Sequence, residues 1–149
     1  MFNRILVVCT GNICRSPMAE FLLRQRLDQV ADLNVEVRSV GTGALVDHPA
    51  EETTSAMMQI KGLDLATHRA RQLTTEFSYW AELILVMEKH HRDAVMEMDP
   101  TARGKTFLLG HWIDQEVPDP YRHGSEAHAR SMKIIEAALD PWVKKLKVR

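Results

Sequence analysis

Short unbroken apolar runs alternate along this chain with stretches whose apolar residues recur every three or four positions. Ile5-Leu6-Val7-Val8 and Leu83-Ile84-Leu85-Val86-Met87 are the unbroken runs. They are too short for helices and show no polar face, which predicts strands buried on both sides. Asn34 to Ser39 alternates polar with apolar and predicts a second strand; Lys105 to Leu109 predicts a short fourth. Helical spacing joins Ala19, Leu22, Leu23, Leu27 and Val30. Pro49 leads into a helix expected over Ala50 to Ile60 and stopped by Gly62, and another is expected from Glu88 to Met98, ahead of Asp99-Pro100. The last helix is expected from Ser125 to Leu146 with Met132, Ile135, Leu139 and Trp142 inward. Pro141 should kink or interrupt it, because proline removes a helical donor and its ring crowds the preceding turn.

This alternation predicts an α/β fold: a single domain over residues 1–149, with a four-stranded parallel sheet and helices on both faces. No linker, repeat or low-complexity stretch divides the chain. In open α/β sheets ligands sit beyond the carboxyl ends of the strands. Cys9, the loop opened by Gly41 and Gly43, and the segment before Glu88 all fall at such ends.

Composition changes the picture mainly by exclusion. The net charge is −1, with 45% hydrophobic and 26% charged residues, so the basic face of a nucleic-acid binder is not expected. No apolar run approaches the roughly 18 residues of a membrane helix, so no membrane insertion is expected. Ile5 to Cys9 is too short for a signal peptide. Two cysteines without a secretion signal argue against a disulfide framework and for a cytoplasmic setting.

The chemistry concentrates in Val8-Cys9-Thr10-Gly11-Asn12-Ile13-Cys14-Arg15-Ser16-Pro17. A strand delivers Cys9, and Ser16-Pro17 reads as a helix start with a hydroxyl cap and a proline at the first helical position. The loop between, Thr10 to Arg15, can converge its amides on one anion, giving a phosphate-binding loop between the first strand and first helix. Cys9 is the candidate nucleophile, since a helix N-terminus and an arginine both favour a thiolate; alone it would read as a buried structural cysteine. Arg15 has the planar fork that meets two phosphate oxygens at once. At a helix N-terminus a cation is electrostatically misplaced unless an anion sits beside it. Gly11 and Asn12 tolerate the positive φ that an inward-turning loop demands. Ser16 could donate to the Cys9 thiolate or cap the helix, the cap being the expectation. Cys14 could pair with Cys9 under oxidation or pack in the core, and both readings stay open.

An acid is needed to protonate a leaving group. Asp119, stiffened by Pro118 and Pro120 and followed by Tyr121, is the candidate; a turn aspartate is the plainer alternative. Asp99-Pro100 reads as a helix stop. The seven histidines show no metal-ligand spacing: His90 and His91 are adjacent and no cysteine is placed to complete a zinc set. They read mostly as surface residues, and no metal or cofactor is expected. Arg122 and His123 read as a solvated loop.

Val8 to Pro17 resembles the active-site signature of the low-molecular-weight protein tyrosine phosphatases, and Asp119-Pro120-Tyr121 resembles that family's general-acid motif. The resemblance extends through Arg38-Ser39, His68 to Gln72 and Met87-Glu88. It implies that Cys9 forms a phosphocysteine, that Thr10, Gly11, Asn12, Ile13, Cys14 and Arg15 bind the phosphate, and that Asp119 protonates the leaving group and then activates water. It also implies that Asn12, Ser16, Ser39 and His68 hold the loop in shape, with Leu45 and Tyr121 lining the substrate cleft. Arg122 stands where many eukaryotic members have a second tyrosine, and Leu45 where they tend to have an aromatic residue. With Gly41 to Val46 and Gly110-His111-Trp112, the chain is similar to the bacterial subgroup acting on autophosphorylated tyrosine kinases of exopolysaccharide or capsule export. The implied partner is a phosphotyrosine protein, the cytoplasmic part of such a membrane kinase. Two other readings compete. A thiol-dependent arsenate reductase would need additional relay cysteines, which this chain lacks. A non-catalytic phosphotyrosine-binding module would tolerate loss of Cys9 or Asp119, and both are present.

Overall fold

Residues 2–147 are described by a computed structural model. Four strands, β1 (Arg4–Cys9), β2 (Glu36–Gly41), β3 (Leu83–Val86) and β4 (Thr106–Leu108), form one parallel sheet in the order β2-β1-β3-β4. The helices are α1 (Arg15–Asp28), α2 (Glu52–Ile60), α3 (Thr75–Trp80), α4 (Lys89–Met98) and α5 (Gly124–Lys147). None is long and apolar enough to cross a membrane. The expected four-stranded parallel sheet, covered on both faces, is the fold observed.

Strand pleating divides the core in two. Ile5, Val7, Leu83 and Leu85 point to one face, where they pack with Met18, Leu22 and Leu23 of α1, Met58 of α2 and Ile135, Leu139 and Trp142 of α5. Leu6, Val8, Ile84 and Val86 point to the other, against Val95 of α4, Leu73 and Ala81. Because β1 and β3 are buried on both sides, their unbroken apolar runs are what the architecture requires.

Several boundaries differ from expectation. β2 begins at Glu36 rather than Asn34 and continues to Gly41, because its register with β1 runs from Arg4↔Glu36 to Cys9↔Gly41. α1 begins at Arg15 with Cys14 as its N-cap, so Ser16 and Pro17 lie inside the first turn and Ser16 is not the cap. Helix α3 was not visible in the pattern; Thr74 caps it by accepting from Phe77 N–H. Asp99 does end α4, and its side chain then caps a 3-10 turn over Pro100–Lys105.

Pro141 does not interrupt α5, which continues to Lys147. The final turns are held by tertiary bonds: Trp142 Nε1 donates to the Leu109 carbonyl at 2.8 Å, and Val143 and Leu146 are buried. Arg26 of α1 also reaches the Glu136 carbonyl at 3.2 Å and the Asp140 carboxylate at 2.6 Å, bracing the helix just before the proline.

The end of β2 touches the loop so closely that a side chain has no room. A Cβ on Gly41 would lie 2.2 Å from the Thr10 carbonyl oxygen and 3.1 Å from the Asn12 nitrogen, both backbone atoms that cannot swing aside. Gly41→Ala is therefore expected to cost about 2 kcal/mol, measured by urea unfolding. An unchanged midpoint would show that the two segments separate freely.

Candidate active site

The loop after β1 is shaped by what claims its carbonyls. Thr42, Gly43 and Leu45 donate their N–H groups to the carbonyls of Cys9, Thr10 and Gly11. His68 Nε2 donates to that of Asn12 at 2.7 Å, Glu51 N–H to that of Ile13 at 2.8 Å, and Met18 N–H to that of Cys14 at 3.1 Å. In a trans peptide the N–H points opposite to the C=O. Six consecutive carbonyls drawn outward therefore turn the amides of Thr10 to Arg15 toward a common interior. Such a concave array of N–H groups, at the start of α1, attracts an anion.

Asn12 makes the turn, with φ at +59°. Gly11 does not adopt positive φ, contrary to the expectation, and a Cβ there would meet only ordinary contacts with Ile13 and Leu45. The left-handed backbone of Asn12 costs about 1 kcal/mol, offset by its buried side chain. Asn12 Oδ1 accepts from Arg71 N–H at 2.9 Å, and Nδ2 donates to Ser16 Oγ at 2.7 Å and Ser39 Oγ at 3.0 Å. Ser39 Oγ donates onward to Glu20 Oε1 at 2.6 Å.

Ser16 Oγ accepts from Asn12 Nδ2 and lies 2.9 Å from the Cys9 sulfur, so its hydrogen is available to an ionised sulfur, which can only accept. Ser16 is thus a partner of the thiol rather than a helix cap.

Arg15 is 2% exposed, and a buried guanidinium must be paired. Its Nη1 donates to Glu88 Oε2 at 2.6 Å and to the Val117 carbonyl at 2.8 Å; Nη2 lies 3.4 Å from Thr10 Oγ1 and 4.0 Å from Asp119 Oδ2. Burial pushes the Glu88 carboxyl up, but the bond and charge of Arg15 outweigh it and hold the group below the usual glutamate range. Glu88 was not singled out as a site residue. The available signal was a carboxylate at the end of a buried strand, where a buried arginine would need one.

His91 corrects the surface reading of the histidines: it is fully buried, and His68 and His128 are largely buried as well. Its Nδ1 accepts from Glu88 N–H at 3.0 Å, so Nε2 carries the hydrogen and donates to Thr10 Oγ1 at 2.8 Å. Burial, reinforced by the Arg15 and His90 charges, lowers His91 to about 4. Burial lowers His68 as well, against the opposing bond to Asn12. With Thr10 Oγ1 accepting from His91, its own hydrogen is free to point into the loop.

Above the loop lies a cleft of about 160 Å³, with Cys9 and Arg15 at its base and Ile13, Leu45, Asp119 and Tyr121 on its walls. The expected residues from Cys9 to Ser16, with Ser39, His68, Leu45, Asp119 and Tyr121, thus converge. Asp119 is half-exposed; its Oδ1 accepts from Tyr121 N–H at 3.0 Å, which holds the carboxylate over the cleft. The Pro118 carbonyl is tied to Ser131 Oγ of α5 at 2.9 Å. Arg122 lies over the Tyr121 ring, 5.1 Å from its centroid. Cys14 is buried, and burial raises its thiol to about 12 despite the nearby Thr54 hydroxyl. Both cysteines are free thiols.

Comparison with known proteins agrees with this geometry. Residues 4–149 match the profile of the family described as low molecular weight phosphotyrosine protein phosphatase. The chain is 45% identical over 146 residues to the low molecular weight protein-tyrosine-phosphatase Etp of Escherichia coli K12, covering 97% of this chain and 95% of that one. The structure of the tyrosine phosphatase Wzb from Escherichia coli K30 in complex with sulphate superposes with a TM-score of 0.91 at 44% identity, covering 98% and 99% of the two chains. The YwlE arginine phosphatase from Geobacillus stearothermophilus superposes with a TM-score of 0.87 at 36% identity, covering 96% and 92%.

The lowered imidazoles of His68 and His91 set a pH dependence. An unfolded chain binds protons at histidine's ordinary value near 6.5, whereas folded His91 resists them until about 4. The unfolded state therefore holds more protons between those values, and stability falls as pH falls through that window. For His91 the slope approaches about 1.4 kcal/mol per pH unit. Urea unfolding of wild type and His91→Gln across pH 4 to 6.5 is expected to show a shallower slope in the variant; parallel curves would contradict this.

Proposed function

Because the chain belongs to the low molecular weight phosphotyrosine protein phosphatase family, we propose that it hydrolyses phosphotyrosine in proteins through a phosphocysteine on Cys9. The observation that carries this reading is the outward capture of six successive carbonyls, which leaves the amides of Thr10 to Arg15 around the space above the sulfur. Three phosphoryl oxygens fit such a ring, and Arg15, pre-oriented by Glu88, adds a bidentate cation. Charge redistributing over those oxygens in the transition state meets donors already in place.

In the first step the S–P bond forms as the P–O bond to the phenol breaks, and Asp119 gives its proton to the departing oxygen. In the second, Asp119 takes a proton from water as the water oxygen attacks phosphorus, and the S–P bond breaks to return the thiolate. Ser16 donates to sulfur at both ends of the cycle, where it is a leaving group as well as a nucleophile. The side chains of Asn12, Ser39 and His68 act through the loop rather than on the substrate.

Substrate class follows from the walls. Ile13, Leu45 and the Tyr121 ring present apolar surface at the mouth, which suits an aromatic ring better than a guanidinium. Cys9 is 2% exposed at the base, so a long rigid side chain reaches it more readily than phosphoserine. The partner we assign is the cytoplasmic part of a membrane tyrosine kinase of polysaccharide export. That assignment rests on the likeness of Gly41 to Val46 and Gly110 to Trp112 to the bacterial subgroup.

Cys9→Ser is expected to abolish turnover of phosphotyrosine peptides. Asp119→Ala is expected to slow phenyl phosphate hydrolysis about 10²- to 10⁴-fold while sparing substrates with acidic leaving groups. An equal loss for all leaving groups would make Asp119 structural. Phosphotyrosine and phosphoarginine peptides assayed side by side decide the substrate: faster phosphoarginine turnover would replace this reading with that of the arginine phosphatases. Asp119→Ala protein incubated with cell lysate is expected to retain a phosphotyrosine kinase; capture of other phosphoproteins alone would overturn the partner assignment.

A further inference from the structure

Cys14 belongs to a second cluster, which the hydrolysis above does not use. Its sulfur lies 3.9 Å from Nε2 of His128, and that nitrogen lies 2.7 Å from Oε2 of Glu51. The three ligand atoms fall within 4.8 Å of one another. Positions 14, 51 and 128 are far apart in the chain, which is why no zinc spacing was visible in the sequence.

Each member is held from behind. His128 Nδ1 donates to the Gly124 carbonyl at 2.8 Å, one turn earlier on α5, which aims Nε2 at the cluster. An imidazole tied in this way to a backbone carbonyl is the usual support of a metal-binding histidine. Glu51 Oε1 caps α2 by accepting from Thr53 N–H, leaving Oε2 for the cluster. The Thr54 hydroxyl is fully buried against the thiol and has no other hydrogen-bond partner among the described residues. A thiol, an imidazole nitrogen, a carboxylate oxygen and a hydroxyl therefore converge in one place.

We propose that Cys14, Glu51 and His128 bind a thiophilic divalent cation, best matched by Zn²⁺, whose occupancy clamps the phosphate loop to α2 and α5. Tetrahedral zinc places sulfur at about 2.3 Å and nitrogen at about 2.0–2.1 Å, so adjacent ligand atoms sit roughly 3.3–3.6 Å apart. The thiol–imidazole pair is already close to that spacing. The imidazole–carboxylate pair must open by about half an ångström, which the partly exposed Glu51 side chain permits. Nε2 and Oε2 at 2.7 Å require a proton between them, and the cation takes its place. Binding releases that proton and the thiol's, leaving thiolate and carboxylate to balance the two positive charges. Mixed sulfur, nitrogen and oxygen donors select zinc over calcium or magnesium. The clamp adds to an existing tie, since Glu51 N–H already holds the Ile13 carbonyl.

The test uses the full chain carrying Cys9→Ser, which removes the other thiol, freed of metal and titrated with Co²⁺ as a coloured zinc analogue. The expected result is a single tetrahedral Co²⁺ per chain with a thiolate-to-cobalt absorption band, displaced by Zn²⁺. Adding Cys14→Ser is expected to remove the band, and adding His128→Gln to weaken binding about tenfold or more, with circular dichroism confirming the fold. If His128→Gln does not fold, Glu51→Gln supplies the same readout. Absence of the band in Cys9→Ser protein, or a band indifferent to both ligand variants, would overturn the proposal.

Discussion

The site depends on the direction of a few peptide planes. A strand end followed by a helix would by default leave its connecting amides facing in several directions. Here Thr42, Gly43, Leu45, Glu51, His68 and α1 each take one carbonyl, and planarity of the peptide decides where every amide goes. The parallel sheet makes this possible, since β1 and β2 end together at Cys9 and Gly41. The left-handed turn at Asn12 strains the loop, and a buried side chain with three hydrogen bonds holds it.

Charge placement follows from that shape. A cation at a helix N-terminus opposes the helix dipole, and a buried one loses its water as well. Glu88 and the Val117 carbonyl compensate Arg15 from one side, leaving its other nitrogen turned toward Thr10 and Asp119. The neighbouring His91 stays neutral and passes a hydrogen bond to Thr10 instead of adding a second positive charge. Electrostatics at the rim is thereby separated from electrostatics at the base: Asp119 is half-exposed, Arg15 almost wholly enclosed.

What could be read from the chain was whatever is local. Nucleophile, loop and arginine lie within seven residues, and strand periodicity located β1 and β3. Asp119 was legible because two prolines frame it. Residues whose roles depend on distant partners were not: Glu88 meets Arg15 across 73 positions, His91 meets Thr10 across 81, and His128 meets Cys14 across 114. Ser16 was misread as a cap because its local context fits one. Only the tertiary position of Asn12 redirects its hydroxyl. The continuation of α5 past Pro141 was not legible for a similar reason, since the bonds that carry it come from α1 and from the segment after β4.

The order in which the loop's partners occur along the chain has a consequence during synthesis. The thiol at position 9 emerges from the ribosome early, while Glu88, His91, Val117 and α5 follow only in the second half. Until β3 pairs with β1, the central strand has no neighbour on that side. A nascent or prematurely terminated chain thus carries the Cys9 thiol without the scaffold that would make it a catalyst. Competence therefore waits on the second half of the chain, which supplies the partners of Arg15.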